Sequence, residues 1–450
     1  MERILLATDY PNLTKLKLFY FKKEIISHYF TNESPLRYIF QQQITNLILV
    51  NHDTSKMIGS LKNYTLTIME TFYISHPGLI LSNLPSTTFS SSTLTQLCID
   101  VYTLDDCLYL LDGRLKQLAT LIVRIHYIDN SSTIVHNMDN LPNLKCLSLK
   151  SYIQVKSYDN TVLPLLRRMS YLEKLTLYLR IEDRDRFIDG THLENEILIN
   201  MSQLHSFTFY ICTYIDTVNL IYNLSNEDVQ RTFINIGQQH IASIINYIDP
   251  NHIVCSIFSI PFTFDRLEDI GNIFPNIIFS YVTYLFVKDV VPFNREFFIR
   301  VARAFPLLKT FRILNYDSQP LCNLNSSQSY EIAEYRYLIY LDMLCGNINY
   351  LEQFLNEGKT YVPRLTKLKV VYNNLRIVTN NFTRKEMRRN CAKIKQLLMI
   401  SYRCMNSYDT KVLDVEVNHL RGFDFLTHFY PPISSSTTRS SENDDITLIH

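Results

Sequence analysis

The sequence predicts an α/β fold in which short parallel strands stack side by side into one curved sheet, with a returning helix behind each strand. Three observations lead there. An apolar triplet at i, i+3, i+5 recurs along the chain, its copies lie about one supersecondary unit apart, and polar segments with helical apolar spacing separate them. The chain has 450 residues, 46% of them hydrophobic, with 30 Tyr and 26 Phe, so it is able to bury a large core.

The triplet opens at Leu13, Leu16 and Leu18 and returns at Ile44, Leu47 and Leu49, then at Leu94, Leu97 and Ile99. It continues at Leu118, Leu121 and Val123, at Leu144, Leu147 and Leu149, at Leu172, Leu175 and Leu177, and at Leu204, Phe207 and Phe209. After a weaker stretch it resumes at Val282, Leu285 and Val287, and at Leu308, Phe311 and Ile313. The last three copies are Leu338, Leu341 and Met343; Leu365, Leu368 and Val370; and Ile394, Leu397 and Met399. Starting positions after Leu94 differ by 24, 26, 28 and 32, and after Val282 by 26, 30, 27 and 29. Two 50-residue intervals, from Ile44 to Leu94 and from Leu204 to about Val254, each have room for two units, and Leu66 to Ile68 is a candidate for the first missing strand.

Period and pattern together are those of leucine-rich repeats, where L-x-x-L-x-L puts its last two leucines on one side of a short strand and the residue between them on the other. Residues 365–375 fit the full L-x-x-L-x-L-x-x-N-x-L pattern, and Cys212 fills the Asn/Cys slot after Phe209. The reading is a leucine-rich-repeat solenoid of roughly 13 irregular repeats over residues 1–430, with a parallel sheet on the concave face, helices on the convex face and degenerate repeats or an insert at 214–280. Helices are expected in the returning segments 352–357, 384–392 and 228–247, the last starting at an Asn226 cap and stopping at Asp249 and Pro250. Residues 431–450, after Pro431 and Pro432, read as a disordered Ser/Thr-rich tail.

The Pro-Asn-Leu-x-x-Leu-x-Leu units at 11–18 and 142–149, with their irregular period, resemble the leucine-rich-repeat region of F-box proteins over about residues 1–425. The resemblance implies a substrate-holding surface. In that family an N-terminal F-box docks on the Skp-type adaptor of a cullin ubiquitin ligase; no such pattern precedes Leu13, so an adaptor partner is expected only if an F-box is supplied elsewhere. A standalone scaffold or adaptor remains the alternative.

In this register 36 strand positions face solvent across the twelve units, nine of them basic and two acidic, Asp100 and Asp342. The strip carries +7 and the rest of the chain −6, so charge is sorted by face although the whole chain is only +1. The expected partner-binding residues on the concave face are Lys15, Lys17, Arg124, Lys150, Lys174, Tyr178, Tyr210, Tyr284, Lys288, Arg312, Lys367 and Lys369. Lysine and arginine suit an acidic or phosphorylated protein segment, and tyrosines supply anchors. The bland alternative is that exposed strand positions favour Lys and Tyr for solubility and β-propensity.

Other chemistry is poorly represented. Nine glycines, about 2% against a usual roughly 7%, leave no G-x-G-x-x-G, P-loop or G-x-S-x-G. There is no H-E-x-x-H, and Cys391, Cys404, His419 and His428 lack the spacing of a standard zinc site. No catalytic, cofactor-binding or metal residue is therefore expected, and nucleic acid is a weak candidate for a near-neutral chain without a nucleic-acid motif. Nine cysteines without C-x-x-C spacing, no signal-peptide pattern and no apolar run of membrane length lead to the expectation of a cytoplasmic or nuclear protein.

Overall fold

The computed structural model describes residues 10–19, 33–50, 78–81, 90–128, 142–156, 158–219, 225–234, 240–315, 331–345, 348–401 and 416–421. The fold is α/β with mostly parallel sheets and few helices. The chain divides into two units, the first holding residues 1–282, 287–292 and 405–413, the second holding 283–286, 293–404 and 414–450.

In the first unit, parallel strands β1 (Lys15–Phe19), β2 (Asn46–Val50), β3 (Gln96–Thr103), β4 (Thr120–Tyr127), β5 (Cys146–Val155), β6 (Lys174–Ile181) and β7 (Ser206–Asp216) pair in sequence order. The repeat triplets set the register. Leu16, Leu47, Leu97, Leu121, Leu147, Leu175 and Phe207 stand opposite one another in one row, and Leu18, Leu49, Ile99, Val123, Leu149, Leu177 and Phe209 in the next. Both rows face the core, because residues two apart on a strand share a side; Leu97, Leu121, Leu147 and Leu175 are at most 2% exposed. Helix α1 (Leu104–Leu110) follows β3 behind a capping box in which Thr103 and Asp106 satisfy each other's backbone N–H groups. Helix α2 (Val162–Arg167) buries Val162, Leu163, Leu165 and Leu166.

The stretch after β7 departs from the repeat expectation. Helix α3 (Asn226–Arg231) is six residues long and is capped by Ser225 in a box with Asp228, so the cap is Ser225 and not Asn226. The helix predicted over 228–247 is mostly absent: Ile241–Asp249 forms strand β8, which returns through a tight turn into β9 (His252–Ser259). Asp249 closes that turn by accepting from the N–H groups of Asn251 and His252, each at 2.9 Å, instead of ending a helix. Ile241, Ile244, Ile245, Tyr247 and Ile248 favour extended backbone, and β9 pairs antiparallel with both β7 and β8. Strand β10 (Arg266–Ile270) follows. The first long interval adds no ladder strand between its flanking repeats, since β2 pairs with β3 directly; residues 66–68 lie outside the described residues.

In the second unit β11 (Tyr284–Asp289, its last three residues counted with the first unit), β12 (Thr310–Asn315), β14 (Tyr340–Cys345), β16 (Lys367–Val371) and β17 (Gln396–Ser401) lie in that order, and β18 (Glu416–Arg421) pairs antiparallel with β17. Two short strands, β13 (Ala333–Glu334) and β15 (Thr360–Tyr361), pair separately. The triplets again stand in register, with Phe311, Leu341, Leu368 and Leu397 in one row. Helices α4 (Arg295–Ala304), α5 (Ile348–Leu355), α6 (Tyr372–Val378) and α7 (Arg388–Cys391) return between strands. The predicted segment 352–357 falls on the end of α5, and 384–392 on a 3-10 turn at Lys385–Met387 followed by α7. All twelve triplets therefore reach strands. The tail 431–450 lies outside the described residues. Among the described residues no helix is long and apolar enough to cross a membrane.

Candidate functional site

The strand positions between and beside the leucine rows form the face on which the sequence places binding residues. In the first unit that face is open at one end and covered at the other. Lys15 and Lys17 on β1 and Lys174 on β6 are exposed, and Ile122 between them on β4 is 43% exposed. Arg124 lies beside Asp100, its in-register neighbour on β3, and donates from Nε to that carboxylate at 3.1 Å. Lys150 is half-buried with its Nζ 5.6 Å from the centre of the Phe264 ring.

Tyr178 and Tyr210, expected as exposed anchors, are 0% exposed. The reason is the segment that follows the β8–β9 hairpin, which brings a second apolar layer onto this side of the sheet. Tyr178 packs edge-on against Phe264 at 5.3 Å, and Tyr210 against Phe262 at 5.9 Å. The Tyr210 hydroxyl donates to the Glu268 carbonyl at 2.9 Å, so its polar atom is satisfied inside the protein. Burial pushes both phenol pKa values well up.

Beneath this layer sits an ionic cluster that sequence reading did not single out. Arg180 on β6 donates from Nη2 to Asp269 at 2.6 Å, from Nε to the Tyr214 hydroxyl at 2.8 Å and from Nη1 to the Tyr152 carbonyl at 2.7 Å. Glu268 lies 3.1 Å from the same guanidinium and accepts from Arg266. Lys288, expected on the open strip, turns its Nζ to Asp269 at 2.9 Å. Burial would raise the Asp269 pKa, but Arg180, Lys288 and the Tyr214 hydroxyl together outweigh it and hold the carboxyl well below its usual range. Burial also pushes the Cys212 thiol up to about 11, so it stays protonated at neutral pH. With Glu268 and Asp269 each 1% exposed and surrounded by three cations, the cluster clamps β10 to the sheet instead of offering a reactive group to solvent.

The signal for it was present but indirect. Strands β7 and β9 are apolar on both sides, which is the pattern of a sheet covered on both faces. The mixed-sign run around Arg266, Glu268 and Asp269 read alone resembles a solvated loop.

In the second unit the strip is also partly internal. Arg312 is 7% exposed and Lys369 2%, against an expectation of open slots. Arg312 donates from Nε to Asp342 at 3.1 Å and from Nη1 to the Tyr284 hydroxyl at 3.2 Å, with its guanidinium 4.6 Å from the Phe286 ring centre. Lys369 lies 3.8 Å from Asp342 on the opposite side. Tyr284 is half-buried, and Lys367 is exposed.

The structure thus leaves Lys15, Lys17, Lys174 and Lys367 exposed, while Arg124, Lys288, Arg312 and Lys369 each face a carboxylate. Among the described residues no group of three or more His, Cys, Asp or Glu side chains is arranged to hold a metal ion. Comparison with protein-family models, with curated proteins and with solved structures returned no match.

Proposed function

We propose that the chain is a non-enzymatic protein-binding module of leucine-rich-repeat type, acting as a substrate-recognition element like that of F-box ubiquitin ligases. The observation that carries this reading is the in-register stack of apolar rows from β1 to β7. It turns every intervening residue of the early strands toward the opposite face, where Lys15, Lys17 and Lys174 are exposed. Such a sheet is a rigid platform with repeated positions, suited to reading an extended segment, and its exposed lysines favour an acidic or phosphorylated one. The ligase connection rests on the resemblance of the Pro-Asn-Leu units at 11–18 and 142–149.

The test is affinity purification of the full chain from cells with mass spectrometry, in parallel with a Lys15→Glu, Lys17→Glu, Lys174→Glu variant. Recovery of a cullin and its Skp-type adaptor together with variant-sensitive proteins is the expected result. Retained partners without ligase components would make the chain a standalone scaffold, and partners indifferent to the three reversals would remove this face from the function.

A further inference from the structure

The second unit carries a separate charged surface at the edge where its strands begin. The four positions around the first apolar residue of each repeat, from two before to two after, recur at Leu308, Leu338, Leu365 and Ile394. Those sixteen positions hold Lys309, Arg336, Arg364, Lys367, Lys393 and Lys395 and no acid, and all six are exposed. They are brought together by a backbone ladder at the strand entrances. The Ile339 N–H donates to the Lys309 carbonyl at 2.8 Å, Thr366 to Ile339 at 3.0 Å and Lys395 to Thr366 at 2.8 Å. At roughly 4.8 Å per strand, Lys309 and Lys395 end roughly 14 Å apart, which about four residues of extended chain span.

Two features decide what fits there. The Arg364 guanidinium sits 5.1 Å from the centre of the Tyr337 ring, a cation–π contact that places a planar cation suited to carboxylates at this edge. Between the basic residues lie exposed apolar side chains, Leu307 at 41%, Tyr337 at 38% and Ile339 at 39%. Two of the three are aliphatic and the tyrosine already meets the Arg364 guanidinium, so the edge provides little for nucleobases and much for a peptide that alternates acidic and apolar residues. The nearby carboxylate of Glu334 is engaged by Arg336 at 2.8 Å.

We propose that this strand-entry edge binds an extended acidic peptide with interspersed apolar residues. The inference rests on the protein-binding reading above but uses a surface distinct from the strand face of the first unit.

The probe is a fluorescein-labelled dodecapeptide of repeated Glu-Glu-Leu, titrated with the full chain at low ionic strength and followed by anisotropy. Saturable binding that weakens roughly tenfold in an Arg364→Glu, Lys395→Glu variant and persists in a Lys15→Glu, Lys17→Glu variant is expected. Both pairs are exposed, so thermal melting should not move in either variant. Absence of binding, or binding that the edge variant retains, overturns the proposal. Loss of binding only in the Lys15, Lys17 variant also overturns it and assigns the peptide to the strand face. Preference for a fluorescein-labelled oligouridylate with steep salt dependence overturns it in favour of a nucleic-acid surface.

Discussion

Arg312 and Asp342 stand directly opposite one another on adjacent parallel strands, and the Arg312 Nε donates to the Asp342 carboxylate at 3.1 Å. The same relationship recurs in the first unit, where Asp100 and Arg124 are in-register neighbours joined by a charge-assisted hydrogen bond. In each unit an acid on the charged strip is placed where a strand neighbour neutralises it. Opposite charges on neighbouring strands support the pairing, and in the second unit the pair is also sealed from water.

Lys367 and Lys369 lie two residues apart on one strand yet should respond very differently to reversal. Lys369→Glu would bury a second carboxylate near Asp342, whose carboxylate now lies 3.8 Å from the Lys369 ammonium, and should cost about 3–5 kcal/mol. Lys367→Glu, at an exposed site, should change stability by less than about 0.5 kcal/mol. Urea denaturation of the two single variants measures both.

The Asp269 carboxyl is held below its unfolded pKa, so it binds fewer protons in the folded state than in the unfolded one. Its contribution is fully present above the unfolded value of about 3.9 and is lost as pH falls from there through the folded value. Asp269→Asn should therefore destabilise the first unit most at pH 5–7, and the gap to the wild type should narrow steadily below about pH 4. Melting temperatures across that range give the comparison, and a gap independent of pH would refute the assignment.

Leu147 is 2% exposed and stands between Leu121 and Leu175 in the first apolar row. Leu147→Ala should cost about 2–5 kcal/mol through the cavity left behind. Leu147→Asp should also broaden the unfolding transition by loosening neighbouring strands together. Calorimetry reads both effects, and an unchanged transition would rule out the row.

Gly190 has its missing side chain filled by a neighbour: a Cβ there would lie 2.3 Å from the backbone oxygen of Thr232. The Gly190 N–H also donates to the Thr232 hydroxyl at 2.7 Å. Since backbone cannot step aside as a flexible side chain can, Gly190→Ala should cost about 1–3 kcal/mol. Chemical denaturation of that variant, with Gly113→Ala as a comparison at a position with open space but a φ of 95°, separates crowding from backbone strain.

The strands were legible because a period-2 apolar pattern is a local property: Leu16 and Leu18, or Leu368 and Val370, declare the buried side wherever the neighbouring strand comes from. Register followed from the same rows, since aligning leucines across strands is the arrangement that buries both. The hairpin from Ile241 to Ser259 was not legible in this way, because an apolar run of that length suits a buried helix or a strand equally until a pairing partner is known. The expected exposure of the strip was overturned for a related reason at Tyr178, Tyr210, Arg312 and Lys369. Alternation tells which side of a sheet a residue occupies, but not whether another part of the chain covers that side. For Tyr178 and Tyr210 the answer came from Phe262, Phe264 and Glu268, more than fifty residues further on; Arg312 and Lys369 are drawn to Asp342 on the strand between them, and Arg312 also meets Tyr284 and Phe286. By itself the sequence determined the α/β class, the twelve strands and the direction each leucine points. The tertiary structure decided which lysines and arginines meet solvent, because exposure depends on long-range packing that no local pattern encodes.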